Sequence, residues 1–225
     1  MKTKVQTEKR SYDQFCAVAK ALDVVGERWT LLLVRELMLG PRRFTDLFDG
    51  LPGIGTNLLS DRLKDLEQRG VIARRVLPPP AASTVYELTD VGRGLEPVVL
   101  SLGRWGSRLL GPPKPEDVMR PGWFLISLRA TFKPDRVTKP RETFELRIDG
   151  TPYQVRVERK ELTVAQGAAA DPDVTLTMDT PTLKSLVKGA LTPAAALRSG
   201  AARVQGDRTG LQRFVDIFGW VGGRP

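Results

Sequence analysis

The sequence predicts a mainly α domain followed by an α+β domain, and three observations carry that reading. Apolar residues recur at helical spacing through most of residues 12–110. A break rich in glycine and proline then follows, with Gly111, Pro112, Pro113, Pro115, Pro121 and Gly122 within twelve positions, a composition that helix and strand interiors exclude. Beyond it, β-like stretches come first and helical ones last, the order of an α+β domain. At 225 residues the chain is long enough for two cores. The expected division is residues 1–111, a linker over 112–122, and residues 123–225.

In the first half, Ala17, Ala21, Leu22 and Val25 share a helical spacing, and Trp29 to Leu39 is apolar nearly all round, as a central helix must be. Gly40 and Pro41 end that helix. A short helix follows with Phe44, Leu47 and Phe48 directed inward, then a tight turn through Leu51 to Gly55. The spacing of Leu59, Leu63 and Leu66 predicts a helix over 56–68, stopped by Gly70. Two helices joined by a short glycine-containing turn form a helix-turn-helix. Val71 to Leu77 and Thr84 to Leu88 flank Pro78, Pro79 and Pro80, the layout of a β-hairpin wing. Thr89 suits the N-cap of a helix over 90–110, which Pro97 should kink. The apolar stripe of that helix exceeds what so small a domain must bury, which predicts a dimer contact.

In the second half, β-like runs fall at Trp123 to Phe132, Thr143 to Ile148, Tyr153 to Val157, Leu162 to Val164 and Val174 to Met178. Turn residues at Asp149, Gly150, Asp171 and Pro172 separate several of them, predicting an antiparallel sheet. Helices open at Thr180 with Pro181 and at Thr192 with Pro193, and a last one holds Leu211, Phe214, Val215, Ile217 and Phe218.

Composition excludes several function classes. Hydrophobic residues make up 41% and charged residues 27%, as in a globular protein. No apolar run reaches the roughly 18 residues of a membrane span, and residues 1–14 lack the apolar core of a signal peptide; no membrane partner and a cytoplasmic location are expected. The single cysteine, Cys16, excludes an internal disulfide, and the absence of histidine removes the usual zinc and iron ligand sets and the imidazole of nucleophilic triads. No enzyme activity, cofactor or metal is expected. The net charge of +9 favours an anionic partner such as DNA. It does not locate the binding face. Residues 1–118 hold 18 Lys and Arg against 15 Asp and Glu, and residues 119–225 hold 17 against 11.

Pattern locates it. With Leu59, Leu63 and Leu66 inward, Asn57, Ser60, Asp61, Lys64 and Gln68 fall on the opposite face of the helix over 56–68. These are base-reading types: Asn bonds adenine, Asp accepts from cytosine and Ser adapts. Thr56 sits at the N-terminal turn, where backbone N–H groups hold a phosphate. Arg42 and Arg43 precede that helix, and Arg74 and Arg75 lie on the first wing strand, so all four are expected to clamp phosphates on either side of a major groove.

The stretch from Cys16 to Thr30, with Arg35, Glu36 and Leu37, Arg42 to Phe44, Leu51 to Ile54, Leu59 to Leu63, Leu66 with Glu67, and Tyr86 to Gly92, resembles the HxlR family of bacterial winged-helix regulators. The similarity spans residues 12–110, in order and with the family's spacing. It implies a homodimeric transcriptional regulator that inserts the helix over 56–68 into the major groove of an operator and dimerises through its terminal helices. Two departures stand out. Gly55 replaces the family's usual serine, and the wing from Ala81 to Thr84 lacks the family's common arginine. The resemblance also implies an oxidant-sensing thiol at Cys16. The residues beside it, Phe15 and Ala17, predict a buried, inert one, with no positive neighbour nearer than Lys20.

After the break, Ala170 to Met178, Leu186 to Gly189, Ala195 to Gly200, Val204 to Asp207 and Phe214 resemble the C-terminal half of sterol-carrier-protein domains. That likeness implies a sheet backed by helices around an apolar tunnel for acyl chains or sterols. Phe132, Phe144, Leu176, Leu183, Leu186, Val187, Phe214 and Phe218 are the candidate lining residues. The combined expectation is a DNA-binding regulator modulated by a small apolar ligand. The alternative is a lipid carrier or scaffold whose helix-turn-helix contacts protein, a reading that Asp61 and the missing wing arginine support.

Overall fold

The computed structural model describes residues 11–79, 82–109, 117–118, 120–187 and 189–218. The chain divides into two compact units, Met1–Val99 and Leu100–Pro225. Most of the 112–122 segment lies outside the described residues.

The first unit runs α1 (Ala17–Val25), α2 (Thr30–Leu37), α3 (Phe44–Gly50), α4 (Thr56–Gln68), β1 (Ile72–Val76), β2 (Thr84–Leu88) and α5 (Asp90–Arg93), and the division falls inside α6 (Glu96–Gly106). Its core is built from Leu33, Val34 and Leu37 of α2, Leu47 of α3, Leu51 and Ile54 of the turn, Leu59, Leu63 and Leu66 of α4, and Ile72 and Leu88 of the hairpin. Phe48, expected inward, is 38% exposed; α3 buries Leu47 fully and packs Phe44 partly against the core. The expected helix over 90–110 is broken at Gly94 and Leu95, ahead of Pro97. Pro97 then stands in the first turn of α6, where its missing N–H leaves no hydrogen bond unmade.

Thr89 fastens the hairpin to α5. Its hydroxyl oxygen accepts from the Gly92 N–H at 3.1 Å, and its own proton is directed at the Gly70 and Val71 carbonyls. Gly92 is required by close approach: a Cβ there would stand 2.0 Å from the Val71 carbonyl oxygen.

The second unit contains α7 (Pro121–Thr131), β3 (Arg141–Ile148), β4 (Thr151–Glu158), β5 (Glu161–Gln166), β6 (Val174–Met178), α8 (Thr180–Val187), α9 (Pro193–Ser199), β7 (Ala202–Gly206) and α10 (Gly210–Phe218). It is an α+β domain with a five-stranded sheet in the order β5-β4-β3-β6-β7. Two expectations are corrected. Trp123 to Phe132 is helical through Thr131, because Pro121 pre-sets the backbone at the first helical position and an apolar run alone does not separate strand from helix. The sheet is mixed: β6 pairs with β3 in parallel, since the 167–173 connection carries the chain from the edge strand past β4 and β3. Strand β7 had no alternating signal of its own.

Alternation then sorts the sheet into two faces. Phe144, Leu146, Tyr153, Val155, Val157, Val174 and Leu176 are buried on one face, while Gln154, Arg156, Thr163 and Thr177 lie on the other. The hairpin from β3 to β4 turns on Asp149 and Gly150, both at positive φ, as their residue types predict. The hairpin from β4 to β5 turns on Arg159 and Lys160, also at positive φ, with no such signal. Among the described residues no helix is long and apolar enough to cross a membrane.

Candidate nucleic-acid interface

Helix α4 takes its orientation from its buried side. Leu59, Leu63 and Leu66 are each at most 2% exposed, and burying each contributes about 1.5–3 kcal/mol, enough to fix the helix about its axis. Asn57, Ser60, Asp61 and Lys64 are therefore exposed together on the far side, while Thr56, on the leucine side of the helix, is exposed in its first turn. Arg62 pins the helix laterally through an ion pair with Glu27 at 2.7 Å, and Arg69 pairs with Asp65 at 2.9 Å. Neither cation belongs to the open face. The N-cap residue Gly55 supplies no side-chain hydrogen bond, so the first N–H groups of α4 take nothing from it.

The structure brings Arg42 to the wing, a juxtaposition the sequence did not signal. Arg42 forms an isolated antiparallel bridge with Tyr86: the Arg42 N–H donates to the Tyr86 carbonyl at 2.9 Å and the Tyr86 N–H returns to the Arg42 carbonyl at 2.8 Å. On the other side of β2, Tyr86 lies opposite Arg74. Directly opposed residues share a face, so Arg42, Tyr86 and Arg74 form one row, with the two arginines about 10 Å apart at the backbone. Arg74 is exposed and Arg42 half-buried. The Arg42 Nε is enclosed with no hydrogen-bond partner among the described residues.

Arg43 and Arg75 stand differently. Arg43 is exposed at the N-cap of α3, where its N–H donates to the Asp46 carboxylate at 2.9 Å. Arg75 points to the opposite face of the hairpin from Arg74 and is held by Glu87, its Nε and Nη2 donating to the carboxylate at 3.1 and 3.0 Å. That pairing lowers the Glu87 pKa and raises that of Arg75. The two wing arginines are thus not a joint clamp.

Cys16 is exposed, at the N-cap of α1. Its apolar neighbour Phe15 is fully exposed as well; apolar neighbours in sequence do not bury a thiol when no described residue covers this end of α1.

In the second unit, Phe144, Leu176, Leu183, Leu186, Phe214 and Phe218 are buried, and Phe132 and Val187 are half-buried. The Phe144 and Phe214 rings meet edge-on at 5.7 Å, Phe214 and Phe218 lie 4.8 Å apart, and Phe132 reaches Phe218 at 5.8 Å. A depression of about 150 Å³ lies elsewhere, on the polar sheet face, lined by Gln154, Arg156, Thr163 and Ala165.

Residues 24–114 match the HxlR-like helix-turn-helix family, and residues 127–219 match the SCP-2 sterol transfer family. YvaP of Bacillus subtilis (strain 168), an uncharacterized HTH-type transcriptional regulator, is 37% identical over 93 residues, covering 41% of this chain and 86% of the relative. YodB of the same organism, an HTH-type transcriptional regulator, is 35% identical over 92 residues, covering 41% of this chain and 82% of the relative. The solved structure of reduced YodB covers 45% of this chain and 100% of that chain at 32% identity, with a TM-score of 0.39. At these identities and coverages the chain belongs to the HxlR-like helix-turn-helix family of transcriptional regulators, and it carries an SCP-2 sterol transfer family domain in its second half.

Proposed function

We propose that the protein is a homodimeric DNA-binding regulator that reads the major groove with α4, its second domain binding a small apolar or acyl ligand that modulates DNA binding. The observation that carries the DNA reading is the exposed polar face of α4, in the same unit as the row formed by Arg42, Tyr86 and Arg74. Asn57, Ser60 and Asp61 are the base readers; Arg42, Arg43, Lys64 and Arg74 are the phosphate contacts. The exposed apolar residues Phe15, Val18 and Leu22 at α1, with Val98, Leu102 and Trp105 on α6, support a dimer, because the described residues leave them uncovered. Half-sites would then lie about 34–36 Å apart. The ligand reading rests on the SCP-2 match; a ligand acts only through its differential affinity for DNA-competent and incompetent states.

Fluorescence anisotropy with promoter fragments across a salt series tests the DNA reading. Four phosphate contacts per subunit give a slope of log K against log salt near about −7 for the dimer. Asn57→Ala should relax discrimination at one base position by about 1–3 kcal/mol. A protein that forms no sequence-dependent, salt-weakened complex refutes the reading. Native mass spectrometry of the purified protein with a fatty-acid probe tests the ligand half.

A further inference from the structure

Arg75 and Glu87 sit on the same face of the wing as a diagonal pair, Arg75 lying opposite Val85 and Glu87 two residues along β2. The contact is two-pronged, Nε and Nη2 to the two carboxylate oxygens. This is the fork geometry that arginine uses to hold a phosphate. Both side chains remain open to solvent, at 48% and 31% exposure. An exposed pair of this kind adds little to the stability of a hairpin. On a wing that meets a polyanion its effect is larger: it occupies one cation and presents one anion. Arg74, one residue earlier, has no ion-pair partner among the described residues. The other cation near Glu87 is Arg93, which is engaged with Asp90 at 2.9 Å and with the Leu88 carbonyl.

We propose that Glu87 is an affinity-setting residue: on the face of the wing opposite the Arg42–Tyr86–Arg74 row, it fills the Arg75 guanidinium as an internal substitute for a DNA phosphate and so keeps that second face from engaging the duplex. The inference rests on the DNA-binding reading above. Because phosphate contacts carry no sequence information, Glu87 tunes overall affinity and salt sensitivity while the base readers of α4 keep their discrimination.

The test is Glu87→Gln, which keeps the side-chain shape and removes the charge, measured by anisotropy on a random-sequence duplex across a salt series. Releasing one arginine per subunit adds two phosphate contacts to the dimer. The salt slope is expected to steepen from about −7 to about −9, and affinity at about 0.15 M salt to rise about thirtyfold. Adding Arg75→Gln should return the slope to that of the wild type. Two results overturn the inference while leaving DNA binding intact: an unchanged slope in Glu87→Gln, or a gain that survives the second substitution. A wild-type protein with no salt-weakened complex overturns the regulator reading itself, and this inference with it.

Discussion

Replacing Gly92 by Ala sets two effects of opposite sign against each other. Helix propensity alone favours Ala over Gly by about 1 kcal/mol. Against it stands the Val71 carbonyl oxygen, 2.0 Å from the position of the new Cβ, with a Leu88 methyl at 3.1 Å. That oxygen already accepts from the Thr89 N–H at 3.1 Å and lies 3.0 Å from the Thr89 hydroxyl, so moving it disturbs the hydrogen bonds that join the hairpin to α5. Strain of about 1–3 kcal/mol and one or two weakened hydrogen bonds of about 1 kcal/mol each outweigh the propensity gain. The expected net loss is roughly 1–4 kcal/mol. Urea unfolding followed by circular dichroism and tryptophan fluorescence, fitted with separate transitions for the two units, reads it as a lower midpoint for the first. Because Val71 leads directly into β1 and Arg74, DNA affinity should fall with it. A midpoint equal to or above that of the wild type refutes the close-approach reasoning.

Further outcomes follow from the same geometry. Arg42→Gln and Arg74→Gln are each expected to flatten the salt slope by about 2 in the dimer and to weaken binding uniformly across sequences, which anisotropy on matched and random duplexes will show. Arg213 pairs with the buried Glu142 through its Nε, at 3.0 and 3.1 Å, and through its Nη2. Arg213→Met leaves that carboxylate with Lys139 at 3.3 Å; a cost of about 3–5 kcal/mol is expected in urea unfolding, largely recovered by adding Glu142→Leu. The Asp207 carboxylate is held well below its ordinary value, chiefly by hydrogen bonds from the Thr209 hydroxyl and N–H, then by Lys139 and Arg213. Its stabilising contribution is thus complete at neutral pH and is lost progressively as pH falls from the ordinary carboxylate range through the depressed folded value. Asp207→Asn should lower the Tm at neutral pH and bring the wild type and variant together in strong acid.

Much of the first unit was legible because its signals are local. The boundaries of α4 and its three buried leucines follow from one amphipathic repeat between Gly55 and Gly70, and Thr89 announces its cap by residue type. What escaped depends on contacts distant in sequence. Nothing at Arg42 signals a bridge to Tyr86, 44 positions later, and nothing at Arg75 signals that Glu87 rather than solvent meets it. The exposure of Cys16 escaped for the converse reason: apolar neighbours record that a surface is covered, not which chain covers it. In the second unit, β6 was read to the residue, but its parallel partner was hidden because pairing direction is set by the route of the chain between strands. Helix α7 was hidden because its apolar run from Trp123 to Ile126 fits a strand as well as a helix and outweighed Pro121.

An apolar ligand in the second unit would meet, among the described residues, a series of aromatic rings already in contact with one another. Phe132, Phe218, Phe214 and Phe144 form a continuous series of ring contacts, two of the four rings belonging to α10. A guest reaching Phe144 must part α10 from the sheet. Its apparent affinity is reduced by the fraction of molecules already open, and the same requirement couples occupancy to the position of α10, which is how binding could be reported at all. Phe214→Ala separates this arrangement from a preformed tunnel. Where rings must part first, removing one makes room: affinity for a fluorescent fatty acid should rise while the unit loses about 3–5 kcal/mol of stability. Where Phe214 already lines an open channel, the same change strips contact surface and affinity should fall. A fall in affinity would therefore refute the ring-contact account while leaving a ligand site in place.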